Sequence, residues 1–463
     1  MNSYYMENFG CRATQADAAA IERQFLDRGF RAAGPDEADL FIVNTCTVTA
    51  SADSRARQAI RSFHRRNPAA RVVVTGCYAQ RAPEELAGIE GVRWVIGNAH
   101  QAGIPRLVEG DSAPAAGGTF VPVGRLEGRR PAEDLLSLER GPAKILAGDL
   151  LETAGVLVGP AAGAAGHTRP TLKIQDGCDH RCAYCVIPQV RGPSHSLAPE
   201  RAIEEIGRLV RSGAREVVLS GIDLGSYGRD LRPRTSLGDF ARRVIEETPL
   251  ERLRLSSLEP VHLTAELIDW IGASGGRIAP HFHVPLQSGS DRILAAMHRW
   301  YRAAHYAERI ERIRERIPDA AIGADVIAGF PGETDEDHRE TMRLVERLPF
   351  TYLHVFSFSP RPGTEAAQMA SPLDGDTIRG RARELRALGA RKAAGFRRRQ
   401  TGRAVRALTL ETVRGEMRDA LTGNYLTVAV EDRWPANVWL DLRLRETESG
   451  ALVGDPEISR FRK

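Results

Sequence analysis

No run of apolar residues in this 463-residue chain approaches the ~18 that a membrane span requires. The opening residues, MNSYYMENFGC, lack the basic stretch and apolar core of a secretory signal. A cytoplasmic location with reduced thiols is therefore expected, and a membrane partner is not. Cysteine is sparse, with six residues in all, too few for a disulfide-rich scaffold. Charge of one sign is also scarce: 64 Lys and Arg against 60 Asp and Glu leave a net of +4. What remains is ordinary for a globular protein, 42% hydrophobic and 27% charged. The length allows roughly two to four domains.

The few cysteines are not scattered. Three of them, Cys178, Cys182 and Cys185, fall in the stretch KIQDGCDHRCAYCVIPQVRG, from Lys173 to Gly192, with CxxxCxxC spacing. Thiolates this close in sequence can converge on one metal centre. A structural zinc takes four protein ligands, so zinc would also need His180 or His195. A 4Fe–4S cluster held by three cysteines keeps one iron open for another ligand. With aromatic Tyr184 just before the last cysteine, the spacing resembles the signature of radical S-adenosylmethionine (SAM) enzymes. The resemblance implies that the open iron binds the amino and carboxylate groups of SAM, which carries the hard chemistry.

Residues 1–100 alternate strand and helix patterns. Ser3 to Phe9, Leu40 to Val43, Arg71 to Thr75 and Val92 to Ile96 predict strands, while Gln15 to Arg28 and Asp53 to Arg65 predict helices. Such alternation implies an open parallel sheet covered by helices. Cys11, Cys46 and Cys77 each follow one of the first three strands. They should share the C-terminal edge of the sheet, where open α/β folds bind ligands. One buried structural cysteine would be ordinary. Three in equivalent places favour a second metal site, again one protein ligand short.

Residues 101–170 are poor in pattern and contain the linker-like tracts SAPAAGG and GPAAGAAG, although Glu133 to Leu151 could form a helix or two. Residues 171–369 carry six strand patterns: Leu172 to Gln175, Glu216 to Ser220, Leu253 to Ser256, His281 to Val284, Ile322 to Ile327 and Tyr352 to Phe358. Most are followed by a helical pattern, as in Glu200 to Arg211, which starts behind Pro199 and stops at Gly213. Repeated units of this length predict a partial (βα)6 barrel, with chemistry at the C-terminal strand ends. The cysteine loop falls at one such end. So do Ser220 and Gly221, Ser256 and Ser257, HVPLQSGS, and GADVIAGFPGET with its Asp325. Singly each is weak: Thr334 reads more readily as a helix N-cap, and His354 as a core histidine. The radical SAM resemblance implies that Tyr184, Ser220, Gly221, Ser257 and Asp325 contact the cofactor.

Residues 370–463 begin with a basic segment. Arg379 to Arg406 holds eleven Lys or Arg and one acid, Glu384. A solvated helix face is the bland reading, and a phosphate-binding stripe the sharper one. Val405 to Thr412, Tyr425 to Val430 and Val438 to Leu444 alternate as strands. They predict a small β-barrel, a fold that commonly binds nucleic acid.

Taken in order, the pieces resemble the methylthiotransferase family almost end to end. The matching motifs are FGC around Cys11, NTCTVT around Cys46, VVVTGCYAQ around Cys77, HTR followed by KIQDGCDHRCAYCVIP, HFHVPLQSG, DVIAGFPGET and FSPRPGT. NTCTVT with KIQDGC resembles the MtaB branch. Thr14 stands where the family commonly has Asn, and the connecting segment is longer than usual. The resemblance implies a three-cysteine N-terminal domain, a linker, a radical SAM barrel and a TRAM RNA-binding domain. It also assigns Cys178, Cys182 and Cys185 to a radical-generating 4Fe–4S cluster and Cys11, Cys46 and Cys77 to an auxiliary one.

The reaction it implies adds a methylthio group to C2 of N6-threonylcarbamoyladenosine at position 37 of tRNA. Two SAM molecules are used, one to methylate a cluster-bound sulfur and one as radical source. An aromatic C–H offers no acidic proton and no leaving group, so homolysis in a dry pocket is the practical route. The base must leave the anticodon-loop stack, and splayed bases with backbone contacts would give recognition. A reductase such as flavodoxin or ferredoxin is the implied electron donor. The alternatives are action on isopentenyladenosine 37 or on a ribosomal-protein aspartate, and a non-catalytic Fe–S or zinc protein.

Overall fold

The computed structural model describes residues 3–109, 143–147, 150, 156–157 and 168–456. Both Ala/Gly-rich tracts lie outside them, as does most of the segment from Glu133 to Leu151.

The N-terminal sheet has six parallel strands: β1 (Ser3–Asn8), β2 (Arg31–Ala32), β3 (Leu40–Thr45), β4 (Arg71–Gly76), β5 (Val92–Ile96) and β6 (Lys144–Leu146), ordered β2-β1-β3-β4-β5-β6. The helices are α1 (Arg12–Leu26), α2 (Ala50–Arg66), α3 (Cys77–Arg81), α4 (Pro83–Ala87) and α5 (Ile104–Glu109). Strands β3 and β4 read as continuous apolar runs because both faces are covered. Phe41, Val43, Val72 and Val74 pack with Ile60 and Phe63 of α2. Leu40, Ile42 and Val73 pack on the other face with Ile21 and Phe25 of α1. Strand β6 corrects the expectation for its segment: residues 144–146 extend the sheet beside β5 rather than forming a helix.

The central region holds β7 (Thr171–Lys173), β8 (Gln175–Asp176), β9 (His195–Ser196), β10 (Glu216–Ser220), β11 (Arg252–Leu255), β12 (His281–His283), β13 (Ala321–Ala328) and β14 (Tyr352–Ser357). Six of these form two parallel three-stranded sheets, β7-β10-β11 and β12-β13-β14. The two meet where Leu258 N donates to His283 O at 2.9 Å. The short antiparallel pair β8–β9 closes the base of the cysteine loop. The covering helices are α6 (Ile187–Arg191), α7 (Pro199–Arg211), α8 (Leu237–Glu247), α9 (Ala265–Ala273), α10 (Asp291–Ala296), α11 (Ala303–Arg316) and α12 (Asp335–Arg347). Helix α7 starts with Pro199 at its first position, and the chain turns away at Gly213. Thr334 caps α12 in a capping box with Asp337.

Helix α13 (Gly375–Gln400) leads into β15 (Ala404–Arg414), β16 (Met417–Thr422), β17 (Thr427–Glu431), β18 (Trp439–Glu446) and β19 (Leu452–Pro456). These five close a barrel in the order β15-β16-β17-β19-β18, around Val428, Val430, Leu442 and Leu444. A buried carboxylate seats this barrel on the central one. Glu216, fully buried, accepts from Arg252 Nε and Arg254 Nε. Those arginines then donate to the carbonyls of Leu421, Thr422 and Gly423 at 3.0–3.1 Å. Burial alone would raise the Glu216 carboxyl, but Arg254 and Arg252 outweigh it and hold it below the usual range.

Replacing Glu216 with Ala leaves buried guanidinium groups without their carboxylate, a change that costs roughly 3–5 kcal/mol. Urea denaturation followed by tryptophan fluorescence should show the transition at lower urea. An unchanged midpoint would contradict the role given to Glu216.

Candidate active site

Cys11 precedes α1, Cys46 follows β3, and Cys77 follows β4 and begins α3. Because β1, β3 and β4 are neighbours, the three thiols emerge side by side. Cys46 and Cys77 are buried and Cys11 is exposed. The turn before Cys11 needs a glycine: Gly10 has φ +134°, and a Cβ there would lie 2.7 Å from Cys46 Cβ. Burial, reinforced by Cys77 and Cys11, pushes the Cys46 thiol up to about 12. Burial also raises Cys77, against the lowering influence of Arg191. Arg191 Nε donates to Cys77 Sγ at 3.2 Å.

The second triad occupies the loop between β8 and α6. Gly177, at φ +69°, lets the loop turn tightly, since a Cβ would come within 1.9 Å of Pro193 O. Cys185 N donates to Cys182 O at 3.0 Å. Arg299 Nη1 donates to Cys182 Sγ at 3.3 Å, and its Nη2 pairs with Glu259. Burial pushes Cys178 and Cys185 up to about 12. His180, near Cys178, stacks on Trp300 at 3.8 Å and pairs with Asp223 at 3.0 Å. Burial would raise Asp223, but the neighbouring His180 and His262 hold it well below the carboxylate range. His195 places Nδ1 3.1 Å from Pro193 O, exposed.

Buried thiols raised this far stay neutral at pH 7 unless a cation offsets their charge, and metal binding requires the thiolate. The donor set bears on which metal fits. Tetrahedral zinc, with Zn–S of about 2.3 Å, holds its sulfurs roughly 3.8 Å apart. Among the described residues, the sets of three ligand atoms within 4.8 Å of one another are Cys178–His180–Asp223 and His283–Asp325–His354. Neither cysteine triad is among them. Three cysteines with no fourth beside them, in each place, make a donor set that suits an iron–sulfur cluster with one open iron.

One cavity of about 190 Å³ is lined by Cys185 of the second triad and by Val48 and Thr49, which follow Cys46 of the first. Val48 and Thr49, beside Cys46, form one wall, and Tyr184 and Cys185 form another. Cys77 packs against Val186 and Val190, just beyond Cys185. Of the five cofactor contacts expected from the sequence, Tyr184 and Asp325 line this cavity. Ser220, Gly221 and Ser257 do not: Ser220 is 1% exposed, and Gly221 sits against Gln175 and Leu224. Burial would raise Asp325, but hydrogen bonds from His283 and His354 keep it well below the carboxylate range. His354 is thus paired with Asp325 at 3.2 Å and half exposed, not a core histidine.

Several site residues carry no signal in a single sequence. Arg191 and Arg299 reach the sulfurs from outside the cysteine spacing. Gln287 and Arg361, by contrast, line the cavity from motifs that the sequence marks, HVPLQSGS and FSPRPGT, and Arg361 pairs with Asp53 across the domain boundary. The basic run from Arg379 is less one-sided in space than in sequence. Arg379 pairs with Asp376, Arg381 with Glu333 and Asp335, Arg391 with Glu346, Arg403 with Asp319 and Arg406 with Glu251.

The parallel barrel with its CxxxCxxC loop defines a radical SAM protein. Residues 172–345 match the radical SAM superfamily, and residues 3–97 match the uncharacterized protein family UPF0004. The radical SAM methyltransferase TsrM of Kitasatospora setae, solved with cobalamin and a [4Fe-4S] cluster, shares the fold. Its TM-score is 0.52 at 17% identity, over 79% of this chain and 77% of that one. The threonylcarbamoyladenosine tRNA methylthiotransferase MtaB of Aquifex aeolicus is 36% identical over 92% of this chain and 96% of its own length. MtaB of Bacillus subtilis is 34% identical over 84% and 80%. The tRNA-2-methylthio-N(6)-dimethylallyladenosine synthase of Clavibacter michiganensis is 33% identical over 88% and 72%. The chain belongs to the radical SAM methylthiotransferase family and is of the MtaB type. It is an enzyme, and its cofactors are 4Fe–4S clusters and SAM.

Anaerobically reconstituted protein should hold about eight iron per chain, and the Cys11→Ala/Cys46→Ala/Cys77→Ala variant about four. Iron and acid-labile sulfide analysis measures both. Stoichiometric zinc without sulfide would overturn the cluster reading.

Proposed function

We propose that this chain adds a methylthio group to C2 of N6-threonylcarbamoyladenosine at position 37 of tRNA. The observation that carries the reading is the cavity walled on one side by the Cys46 loop and on another by Tyr184 and Cys185. A sulfur donor and a radical source must both reach one substrate carbon, and this cavity is lined by Cys185 and by the residues that follow Cys46. The MtaB relatives supply the substrate.

In this reading Cys11, Cys46 and Cys77 hold an auxiliary cluster, and Cys178, Cys182 and Cys185 hold the cluster that works with SAM. Bound there, the clusters and SAM supply the sulfur, the methyl group and the one-electron chemistry. The chain supplies position and shelter. Asp325, ionised and fixed between His283 at 3.0 Å and His354 at 3.2 Å, accepts from amino or hydroxyl donors of SAM. Tyr184 closes the wall beside Cys185. Ser220 ends β10 with Gly221 following it against Gln175, and Ser257 lies exposed at the next strand end. The Asp53–Arg361 ion pair holds the N-terminal domain against the barrel.

Residues 1–100 then form the auxiliary-cluster domain, 101–170 the connector, 171–369 the radical SAM barrel, and 370–463 the basic helix with an RNA-binding barrel. The anticodon loop is the macromolecular partner, a flavodoxin- or ferredoxin-type protein the electron donor, and the cytoplasm the place of work. No helix among the described residues is long and apolar enough to cross a membrane. A second reading, action on dimethylallyladenosine, draws support from the Clavibacter relative.

Deleting the gene and analysing tRNA nucleosides by mass spectrometry separates the two. Loss of 2-methylthio-N6-threonylcarbamoyladenosine is expected. Its persistence, with loss of the dimethylallyl counterpart, would favour the second reading.

A further inference from the structure

The boundary between the N-terminal sheet and the central barrel buries four charges. Asp17 on α1, Lys173 on β7, Asp176 on β8 and Arg191 at the end of α6 are each at most 9% exposed. Lys173 Nζ donates to Asp17 and to Asp176. Arg191 donates from Nη1 to both Asp176 oxygens at 3.0 Å and from Nη2 to Asp17 at 2.7 Å. Two acids and two bases balance, so the tetrad is neutral and hydrogen-bonded as an interface. One contact exceeds what the interface needs: Arg191 Nε–H points at Cys77 Sγ, 3.2 Å away. Every guanidinium nitrogen is engaged, so the fork is fixed in orientation.

Arg191 belongs to the other triad's loop. It follows Cys185 by six residues, and the helix between them packs Val186 and Val190 against Cys77. Asn98 Nδ2 ties down the same helix through Val190 O at 2.6 Å. One short peptide therefore has a thiol of one triad at its start and a hydrogen-bond donor to the other triad at its end.

We propose that Arg191 is a positioning residue for the auxiliary cluster, raising its reduction potential by donating Nε–H to Cys77 Sγ and tying that potential to the docking of the radical-cluster loop. This rests on the assignment of Cys11, Cys46 and Cys77 as cluster ligands. Reduction adds negative charge that is shared with the thiolate sulfurs. A charge-assisted donor at a sulfur stabilises the reduced state more than the oxidised one. Burial strengthens the contact, because little water competes for the donor.

The test uses full-length protein carrying Cys178→Ala, Cys182→Ala and Cys185→Ala, so that only the auxiliary cluster is reconstituted. Into it goes Arg191→Met with Asp17→Asn, which removes one positive and one negative charge and keeps the buried tetrad balanced. Iron and sulfide content establishes first that the cluster is present, which tests the ligand assignment separately. EPR-monitored redox titration should then give a more negative midpoint potential than in the Arg191 parent. The same pair of substitutions, placed beside Cys11→Ala/Cys46→Ala/Cys77→Ala, should leave the radical cluster's potential unchanged. An unmoved auxiliary potential, or an equal shift in both clusters, overturns the proposal. If the double variant does not hold iron, the parent labelled with 15N-arginine decides. Pulsed EPR of its reduced auxiliary cluster should show a weak 15N coupling, and its absence overturns the proposal.

Discussion

Parallel pairing of β3 with β4 sets Thr45 opposite Gly76, so the residue that follows each strand is a cysteine. Pairing of β1 with β3 sets Asn8 opposite Asn44, and Phe9 N donates to Asn44 O at 2.8 Å, which brings Cys11 to the same edge. A slip of one residue would turn every apolar side chain of the strand to the wrong face. The cores on both sides of the sheet therefore fix the register, and the register fixes the thiols. Three residues spread over the first 77 positions of the chain are brought to one sheet edge through the packing of residues such as Phe41 and Val73.

The N-terminal sheet must also meet the barrel in one orientation, and buried charge supplies the specificity. The Asp17–Lys173–Asp176–Arg191 tetrad lies at one contact. At another, Asp53 receives Arg81 from its own domain at 2.9 Å and Arg361 from the barrel, with Thr47 Oγ1 accepting from both arginines. Buried ion pairs are weak contributors to net stability, because desolvation offsets much of the attraction, but a misdocked pair leaves an uncompensated charge. Such contacts select one arrangement more than they strengthen it, and a cavity lined from both the N-terminal domain and the barrel needs one arrangement.

The features that could be read from the sequence are those whose signals are local. Strand β4 shows as VVV, α7 begins at Pro199, Thr334 caps α12, and the cysteines sit at strand ends. What escaped depends on pairing across long separations. Strand β6 has three residues and is a strand only because β5 offers it an edge. Arg191 reaches a sulfur 114 positions earlier in the chain. One acid that pairs with the basic run, Asp376, opens the same helix. The others come from α12 and the residue Glu333 before it, the loop before β13 and Glu251 just before β11, so counting charges along the helix overstated its field. The strand-end rule located Ser220 but not its direction. As the last residue of β10 it is buried, whereas Asp325, mid-strand in β13, reaches the cavity.

Asp325 also shows how the wall of the cavity is held. His283 pairs with it through Nε2, and its Nδ1 lies 3.0 Å from Tyr352 Oη, which in turn lies 2.8 Å from His281 Nε2. Tyr425 of the small barrel stacks on His281 at 4.1 Å, and Arg12, the neighbour of Cys11, donates to Tyr425 Oη at 3.1 Å. A carboxylate aimed at a ligand needs rotamers locked by a supporting shell, and here that shell is polar and draws on all three parts of the chain. An apolar lumen would pack as well but could not fix the imidazole tautomers that orient Asp325. Contact continuity alone does not establish energetic coupling. It does mean that the small barrel cannot be removed without unstacking His281, so a truncation ending before β15 would disturb the cavity wall as well as any RNA surface.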